Sequence, residues 1–204
     1  MPRPRQFDET AALDAAIECF WQRGYEATSL RDLTAAMGLT APSLYNAFGD
    51  KEELFTLALE RYLDRNTRGR LRRLEETLPP KQAIARFFAE IVDHSVNDRR
   101  RKGCFLVNTA LEIAPHHAKC RAVIAGQFGG LEGFFARCIL AGQAEGTIPL
   151  HLDADDVAKL FLGVLLGVRV LARTTPSRSV LEGLVRPALA LIDQPQSNRT
   201  RPKQ

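Results

Sequence analysis

Three features of the sequence predict an all-α protein. Apolar residues recur three and four positions apart nearly throughout, the spacing that lines one face of a helix. No stretch alternates polar and apolar residues between turn formers, as a half-buried strand does. Gly24, Gly38, Gly49 and Pro79-Pro80 fall where helical runs stop. The chain is expected to fold around a core of its own: 45% of its 204 residues are hydrophobic and 25% charged, the usual balance of a globular domain.

The first helix opens near Asp8, carries Leu13, Ala16, Ile17 and Phe20, and ends at Gly24. Thr28-Ser29 supply N-cap hydroxyls for a second, whose stripe is Leu30, Leu33 and Met37 and whose stop is Gly38. A short third helix runs from about Thr40 to Phe48, with Pro42 tolerated in its first turn. Asp50 caps a long fourth helix from Lys51 to about Thr77, with Glu53 as capping-box partner. After the break at Leu78-Pro79-Pro80, helices are expected over roughly 81–98, 104–114, 117–144, 153–174 and 178–193, about nine in all. The polar, proline-containing residues 194–204 read as a disordered tail, with Arg199, Arg201 and Lys203 as a weak positive end.

Composition excludes several classes. No apolar run approaches about 20 residues, and the basic start Met-Pro-Arg-Pro-Arg has no apolar stretch behind it. Neither a membrane span nor a secretory leader is expected, and the chain is placed in the cytoplasm. Cys19, Cys104, Cys120 and Cys138 lie far apart without a CxxC pair, which argues against a zinc ribbon or a disulfide-stapled fold. No GxSxG, P-loop, HExxH or dinucleotide fingerprint is present, so an enzyme is not expected. A net charge of +4 and a pI near 9.0 are compatible with a nucleic-acid partner without selecting one.

The second and third helices, joined by Met37-Gly38-Leu39-Thr40, have the length and the glycine of a helix-turn-helix, whose second helix enters the major groove. Many helical hairpins share that spacing. Phe20, Leu30, Leu33, Leu44 and Phe48 are spaced to bury a small three-helix core. The third helix then leaves Thr40, Ala41, Pro42, Ser43 and Asn46 as candidate base readers. Ala41 and Pro42 suit a thymine methyl, and Asn46 suits a bidentate pair with adenine. Tyr45, on another face, can reach a phosphate, as can Lys51 together with the N–H groups opening the fourth helix. Thr28 and Ser29 can serve a phosphate beside their capping duty.

The third helix has no arginine, so a guanine contact falls to Arg31 or to Arg3 and Arg5 of the N-terminal arm in a minor groove. Residues 1–50 carry four basic side chains (Arg3, Arg5, Arg23, Arg31) against seven acidic ones (Asp8, Glu9, Asp14, Glu18, Glu26, Asp32, Asp50). Modest affinity per subunit and reliance on a dimer follow. The arginines Arg61, Arg65, Arg68, Arg70, Arg72 and Arg73 are expected on the solvated face of the fourth helix.

Ala16, Phe20, Gly24-Tyr25, Thr28-Ser29-Leu30, Leu33, Gly38, Leu44-Tyr45, Phe48 and Lys51 fall at the spacings of the N-terminal signature of the TetR/AcrR family of transcriptional regulators. The chain resembles that family over about residues 8–60, and beyond them in helical plan alone. The resemblance implies a helix-turn-helix DNA-binding domain over 1–50, a connecting helix over 51–77, and an effector-binding and dimerisation domain over 78–193. It implies a homodimer on a palindromic double-stranded DNA operator, released by a small-molecule or electrophile effector, without a cofactor. It also implies that Tyr45 touches the DNA backbone. The alternative is a helical effector-binding or adaptor protein without sequence-specific DNA binding.

The same resemblance makes the last two long helices a dimer's four-helix bundle. Ala158, Phe161, Leu162, Leu165, Leu166, Val168 and Leu171 cover too much of one circumference for a one-sided core, and Gly163 and Gly167 permit close approach. With Leu184 on the last helix they are the interface candidates, a central buried helix being the other reading. Phe87, Ile91, Phe105 and Phe128 can line an effector pocket or fill a core. Asn108 or Glu112 inside a cavity would signal ligand recognition.

Cys104 follows Arg99-Arg100-Arg101-Lys102-Gly103 and opens a helix, surroundings that favour a thiolate. Gly103-Cys104-Phe105-Leu106-Val107 resembles a segment of TetR-type regulators that sense electrophiles or oxidants through a cysteine. A packing role is the alternative, and Cys120 is the candidate second thiol. His116, His117 and Cys120 have the spacing to join Cys104 around a soft metal, but exposed imidazoles at a helix start are the ordinary expectation.

Overall fold

A computed structural model of the chain describes residues 7–193. Arg3, Arg5 and the tail from 194, with Arg199, Arg201 and Lys203, lie outside the described residues. The chain is all-helical, as expected: α1 (Glu9–Arg23), α2 (Leu30–Met37), α3 (Ala41–Phe48), α4 (Lys51–Leu63), a π-helical turn (Asp64–Arg68), α5 (Gly69–Thr77), α6 (Pro80–Asn97), α7 (Phe105–Glu112), α8 (Ala118–Ala144), α9 (Ala154–Thr174) and α10 (Arg178–Asp193). α4, the π turn and α5 follow one another without a break, so the described residues form nine rods.

The caps set these boundaries. Asp8 accepts from Thr10 N and Ala11 N at the start of α1, and Gly24 ends it with φ +83°. Ser29 and Asp32 form a reciprocal capping box on α2, and Gly38 closes it in the left-handed region at φ 65°, a conformation that costs glycine nothing. Asp50 and Glu53 form a second box on α4. The widened π turn was not anticipated. There Asn66 Nδ2 donates to Tyr62 O at 3.0 Å, so a side chain satisfies a carbonyl where the ladder shifts.

The structure divides into two compact units, Met1–Arg70 with Lys102–Gln127, and Leu71–Arg101 with Phe128–Gln204. Segment 102–127 thus belongs with the helix-turn-helix, a grouping that local periodicity cannot disclose. In the first unit α1 packs on α2 and α4, α3 on α2 and α4, and α7 on α4. Leu33, Leu44, Leu54 and Leu59 are fully buried, and Phe20 meets the edge of Phe55 at 4.9 Å. The arginine cluster is not simply a solvated face. Asp14 of α1 receives Arg61 Nε at 2.7 Å, Arg61 Nη2 at 2.9 Å and Arg65 Nη1 at 2.6 Å, which pins α4 and the π turn to α1. The Arg61 guanidinium, aided by Arg65, holds the Asp14 carboxyl below its ordinary value against the opposing effect of burial.

In the second unit α6, α9 and α10 pack pairwise. The core is a phenylalanine cluster: Phe87, Phe88, Phe134, Phe135 and Phe161 are each at most 1% exposed, with ring centroids 5.3–5.7 Å apart. By length and composition α8 could cross a membrane, with a mean hydropathy of 1.2 over its most apolar 18 residues. Its apolar character has a reason in packing, because Leu131, Phe134, Phe135 and Ile139 are buried. Lys81 Nζ and Asp193 Oδ1, 2.6 Å apart, tie the start of α6 to the end of α10.

Candidate nucleic-acid interface

α3 has two faces of opposite character. Leu44 and Phe48 are buried, whereas Ala41, Pro42 and Asn46 are exposed and Tyr45 is 47% exposed. At 100° per residue, Ala41, Pro42, Tyr45 and Asn46 share one edge. Thr40 caps the helix: its Oγ1 accepts from Ser43 N at 3.3 Å and lies 2.9 Å from Ser43 Oγ. The two hydroxyls pre-order the N-terminus that a major groove would meet. Arg31 at the start of α2 is exposed and, among the described residues, has no ion-pair partner.

Three phosphate expectations need correcting. Thr28 is fully buried and its hydroxyl donates to Gly24 O at 2.6 Å, so it braces the α1–α2 loop and cannot reach a phosphate. Ser29 is exposed, but its hydroxyl donates to Asp32 Oδ2 at 2.6 Å, and that carboxylate, bound also by Arg23 at 2.7 Å, repels an anion. The start of α4 is already occupied by Asp50, with Glu52 and Glu53 in its first turn. Lys51 turns instead to Tyr25, its Nζ 4.3 Å from the ring centroid, a cation–π contact. It remains a cation on this surface, beside a helix start whose Asp50 cap takes the Glu53 N–H.

The sensor candidates are divided between the two units. Cys104, Phe105, Asn108 and Glu112 belong to the first unit, and Phe87, Ile91 and Phe128 to the second. Phe87, Ile91 and Phe105 are at most 2% exposed and fill cores; Phe128 is half-buried. Asn108 donates to Lys102 O at 2.8 Å and so braces the turn before α7. Glu112 is exposed rather than enclosed in a cavity. Its Oε1 accepts from Glu26 N at 3.1 Å, and a Cβ on Gly24 would lie 2.8 Å from both its oxygens. Glu112 therefore clasps the α1–α2 loop, which a sequence distance of 86 residues concealed. Two grooves, of about 420 Å³ beside Phe48 and Leu57 and about 500 Å³ between α6 and α10, are lined by none of these seven residues.

The four thiols differ. Cys104 is the N-cap of α7, buried, with its sulfur 3.8 Å from the Tyr62 hydroxyl. Lys102, expected to favour a thiolate there, gives its ammonium to Glu18 at 3.0 and 3.1 Å and to the Trp21 ring at 4.0 Å. Burial raises the Cys19 and Cys120 thiols and pushes Cys138 up to about 12, which disfavours the thiolate at all three, the candidate second thiol Cys120 included. His117 is half-buried, with Nδ1 3.7 Å from Glu52 and its ring edge-on to Tyr25. Among the described residues no three His, Cys, Asp or Glu side chains gather as a metal site.

Of the interface candidates, Phe161 is wholly buried against Phe88 and Phe135 and cannot face a partner. Gly163 is exposed, Leu166 and Gly167 are half-buried, and Leu184 is 37% exposed. The stripe also includes Leu160, Val170 and Val180, 44%, 46% and 39% exposed, which sequence reasoning missed. The spacing Leu160, Gly163, Gly167, Val170 was the available signal.

A family model described as bacterial regulatory proteins, tetR family, matches residues 12–58, and one described as the tetracyclin repressor-like C-terminal domain matches residues 80–187. The chain is 36% identical over 172 residues to the HTH-type transcriptional repressor ComR of Escherichia coli (strain K12), covering 84% of this chain and 82% of ComR. It is 31% identical over 194 residues to the uncharacterized HTH-type transcriptional regulator YezE of Bacillus subtilis (strain 168), covering 95% and 100%. Among solved structures it is similar to a cysteine mutant of the TetR family regulator CifR complexed with 26bp double-strand operator DNA, at 35% identity and a TM-score of 0.82 over 92% of this chain and 98% of that one. With a family model spanning more than half its length and relatives aligned over most of it, the chain belongs to the TetR family of DNA-binding transcriptional regulators, which are not enzymes.

Proposed function

We propose that this protein is a cytoplasmic transcriptional repressor that binds a palindromic operator as a homodimer and leaves it when a small-molecule effector binds or Cys104 is modified. The observation that carries the reading is α3, a capped two-turn helix whose apolar side is buried and whose other edge presents Ala41, Pro42, Tyr45 and Asn46 to solvent. One such helix reads too few base pairs to select a site in a genome, so two copies about 34 Å apart are required. The exposed apolar stripe of α9, with Val180 and Leu184 of α10, supplies the surface for pairing. ComR is named a repressor, and CifR was captured on operator DNA as a cysteine mutant; both support the reading.

Release has a physical route within the first unit. Cys104 is 9% exposed, and its sulfur packs against Tyr62, whose ring meets Phe105 at 5.4 Å and Trp21 at 5.1 Å. Atoms added to that sulfur must displace rings that join α1, α4 and α7, the support on which α3 rests. An effector that empties the operator must prefer the released state by about 3–5 kcal/mol. Genome-wide footprinting of the purified protein, with and without prior treatment by a quinone, tests the reading. A protected palindrome that disappears on treatment, but persists in Cys104→Ser, is the expected result. Absence of any protected site, or a protein that stays monomeric at working concentration, overturns it.

A further inference from the structure

The groove of about 420 Å³ in the first unit lies apart from the reading edge of α3. Its walls are the end of α3, the first two turns of α4 and Lys119 of α8, and none of Ala41, Pro42, Tyr45 and Asn46 lines it. Phe48 and Leu57 give it an apolar surface, and Glu52, Glu53 and Lys119 are its charges. Two carboxylates against one ammonium leave the lining net negative. Glu53 accepts the Asp50 N–H through Oε2 at 3.1 Å, and Glu52 Oε2 lies 3.7 Å from His117 Nδ1. Leu57 is 44% exposed and stands one turn from Glu53, so hydrocarbon and negative charge adjoin.

The chain carries a segment of matching chemistry at the edge of this groove. Phe7, the first described residue, has its ring centroid 6.0 Å from that of Phe48, a groove residue. Arg5 and Arg3 precede Phe7 by two and four residues and alternate with Pro4 and Pro2. Four residues of extended chain span up to about 14 Å, more than two helical turns of α4 at about 5.4 Å each. We propose that the N-terminal arm docks in this groove, with its prolines against Phe48 and Leu57 and with Arg3 and Arg5 paired to Glu52 and Glu53. Proline biases the arm to extended backbone, which lowers the entropy lost on docking. The same two arginines are the candidates for a minor groove, so a docked arm withholds them from DNA. That consequence rests on the DNA-binding reading above; the docking itself does not.

Two other occupants fit less well. A nucleic-acid backbone is repelled by the carboxylates of the lining. The arm of a second copy has the right residues, but it comes from solution, whereas an arm tethered at Phe7 is present at a millimolar effective concentration.

The test uses the full-length protein without DNA. Pro4→Cys and Leu57→Cys are combined and equilibrated in glutathione buffers, where the ratio at which the disulfide half-forms gives the effective concentration of the two thiols. That concentration is expected to be about three- to tenfold higher than in the same pair carrying Arg3→Gln and Arg5→Gln, whose tether is identical. The difference should vanish in about 1 M sodium chloride. Glu52→Gln, which leaves the Asp50 and Glu53 capping box untouched, should remove part of it. Equal effective concentrations with and without the arginines, indifference to salt, or covalent dimers in place of the intrachain link overturn the proposal. Gel shifts on operator DNA read the consequence: the oxidised protein should bind several-fold more weakly than its reduced form. Equal affinity sinks the withholding of Arg3 and Arg5 and keeps the docking site, whereas a reduced protein that binds no operator sinks the DNA reading alone.

Discussion

The two units are built around aromatic clusters of different chemistry. In the first, Phe20, Phe55 and Phe105 are mixed with Trp21, Tyr25 and Tyr62; Lys102 and Lys51 lie on two of the rings, and the Cys104 sulfur touches a third. The Trp21 indole N–H is buried without an acceptor, a cost that an all-hydrocarbon cluster does not carry. In the second unit Phe87, Phe88, Phe134, Phe135 and Phe161 carry no polar atom. Hydrocarbon rings contribute burial and shape. Rings with polar tips also connect a core to charges and hydroxyls at its border, so the cluster supporting α3 can respond to chemistry that leaves the other untouched.

The largest effect should come from the hydrocarbon cluster. Phe161→Ala is expected to cost about 3–5 kcal/mol in urea unfolding, and a loss below about 1 kcal/mol would mean that the cluster is not the core described. In the first unit, Thr28→Val keeps the shape but leaves Gly24 O without its 2.6 Å donor, and about 1–3 kcal/mol should be lost. At the reading edge, Asn46→Ala should leave the melting temperature unchanged and remove about 1–3 kcal/mol of discrimination at one operator position, read by selection on randomised half-sites. A uniform loss over all sequences would instead make Asn46 a backbone contact.

The smallest effect is acid-dependent and confined to the first unit. Asp14 titrates below its ordinary value of 3.8 when folded, chiefly through Arg61. Its contribution is therefore complete above that value and is lost as pH falls through the folded value. Because the group is part-exposed, the contribution is under about 1 kcal/mol. Asp14→Asn should flatten the stability profile below about pH 4 and leave the neutral-pH ordering of the other variants intact. An unchanged acid limb would show that the Arg61 contact is not formed in solution.

Much of the first unit was legible because its signals are local. Asp8, Ser29, Thr40 and Asp50 cap helices a few residues away, and Gly24, Gly38 and Gly49 end them, so boundaries and the split face of α3 could be read in short windows. Roles that depend on distant partners were misread. Glu112 looks like a pocket acid until the α1–α2 loop claims it, and Phe161 like an interface residue until Phe88 and Phe135 enclose it.

By itself the sequence determined the helices, their caps and the polar edge of a short third helix, because propensity, capping and periodicity act over one or two turns. Only the tertiary structure decided which charges found partners. Asp14 gained two arginines, Lys51 a tyrosine ring and Arg169 a lone hydroxyl. Ion pairing and burial are settled by groups that come together from far along the chain, and no local pattern records who the neighbours will be.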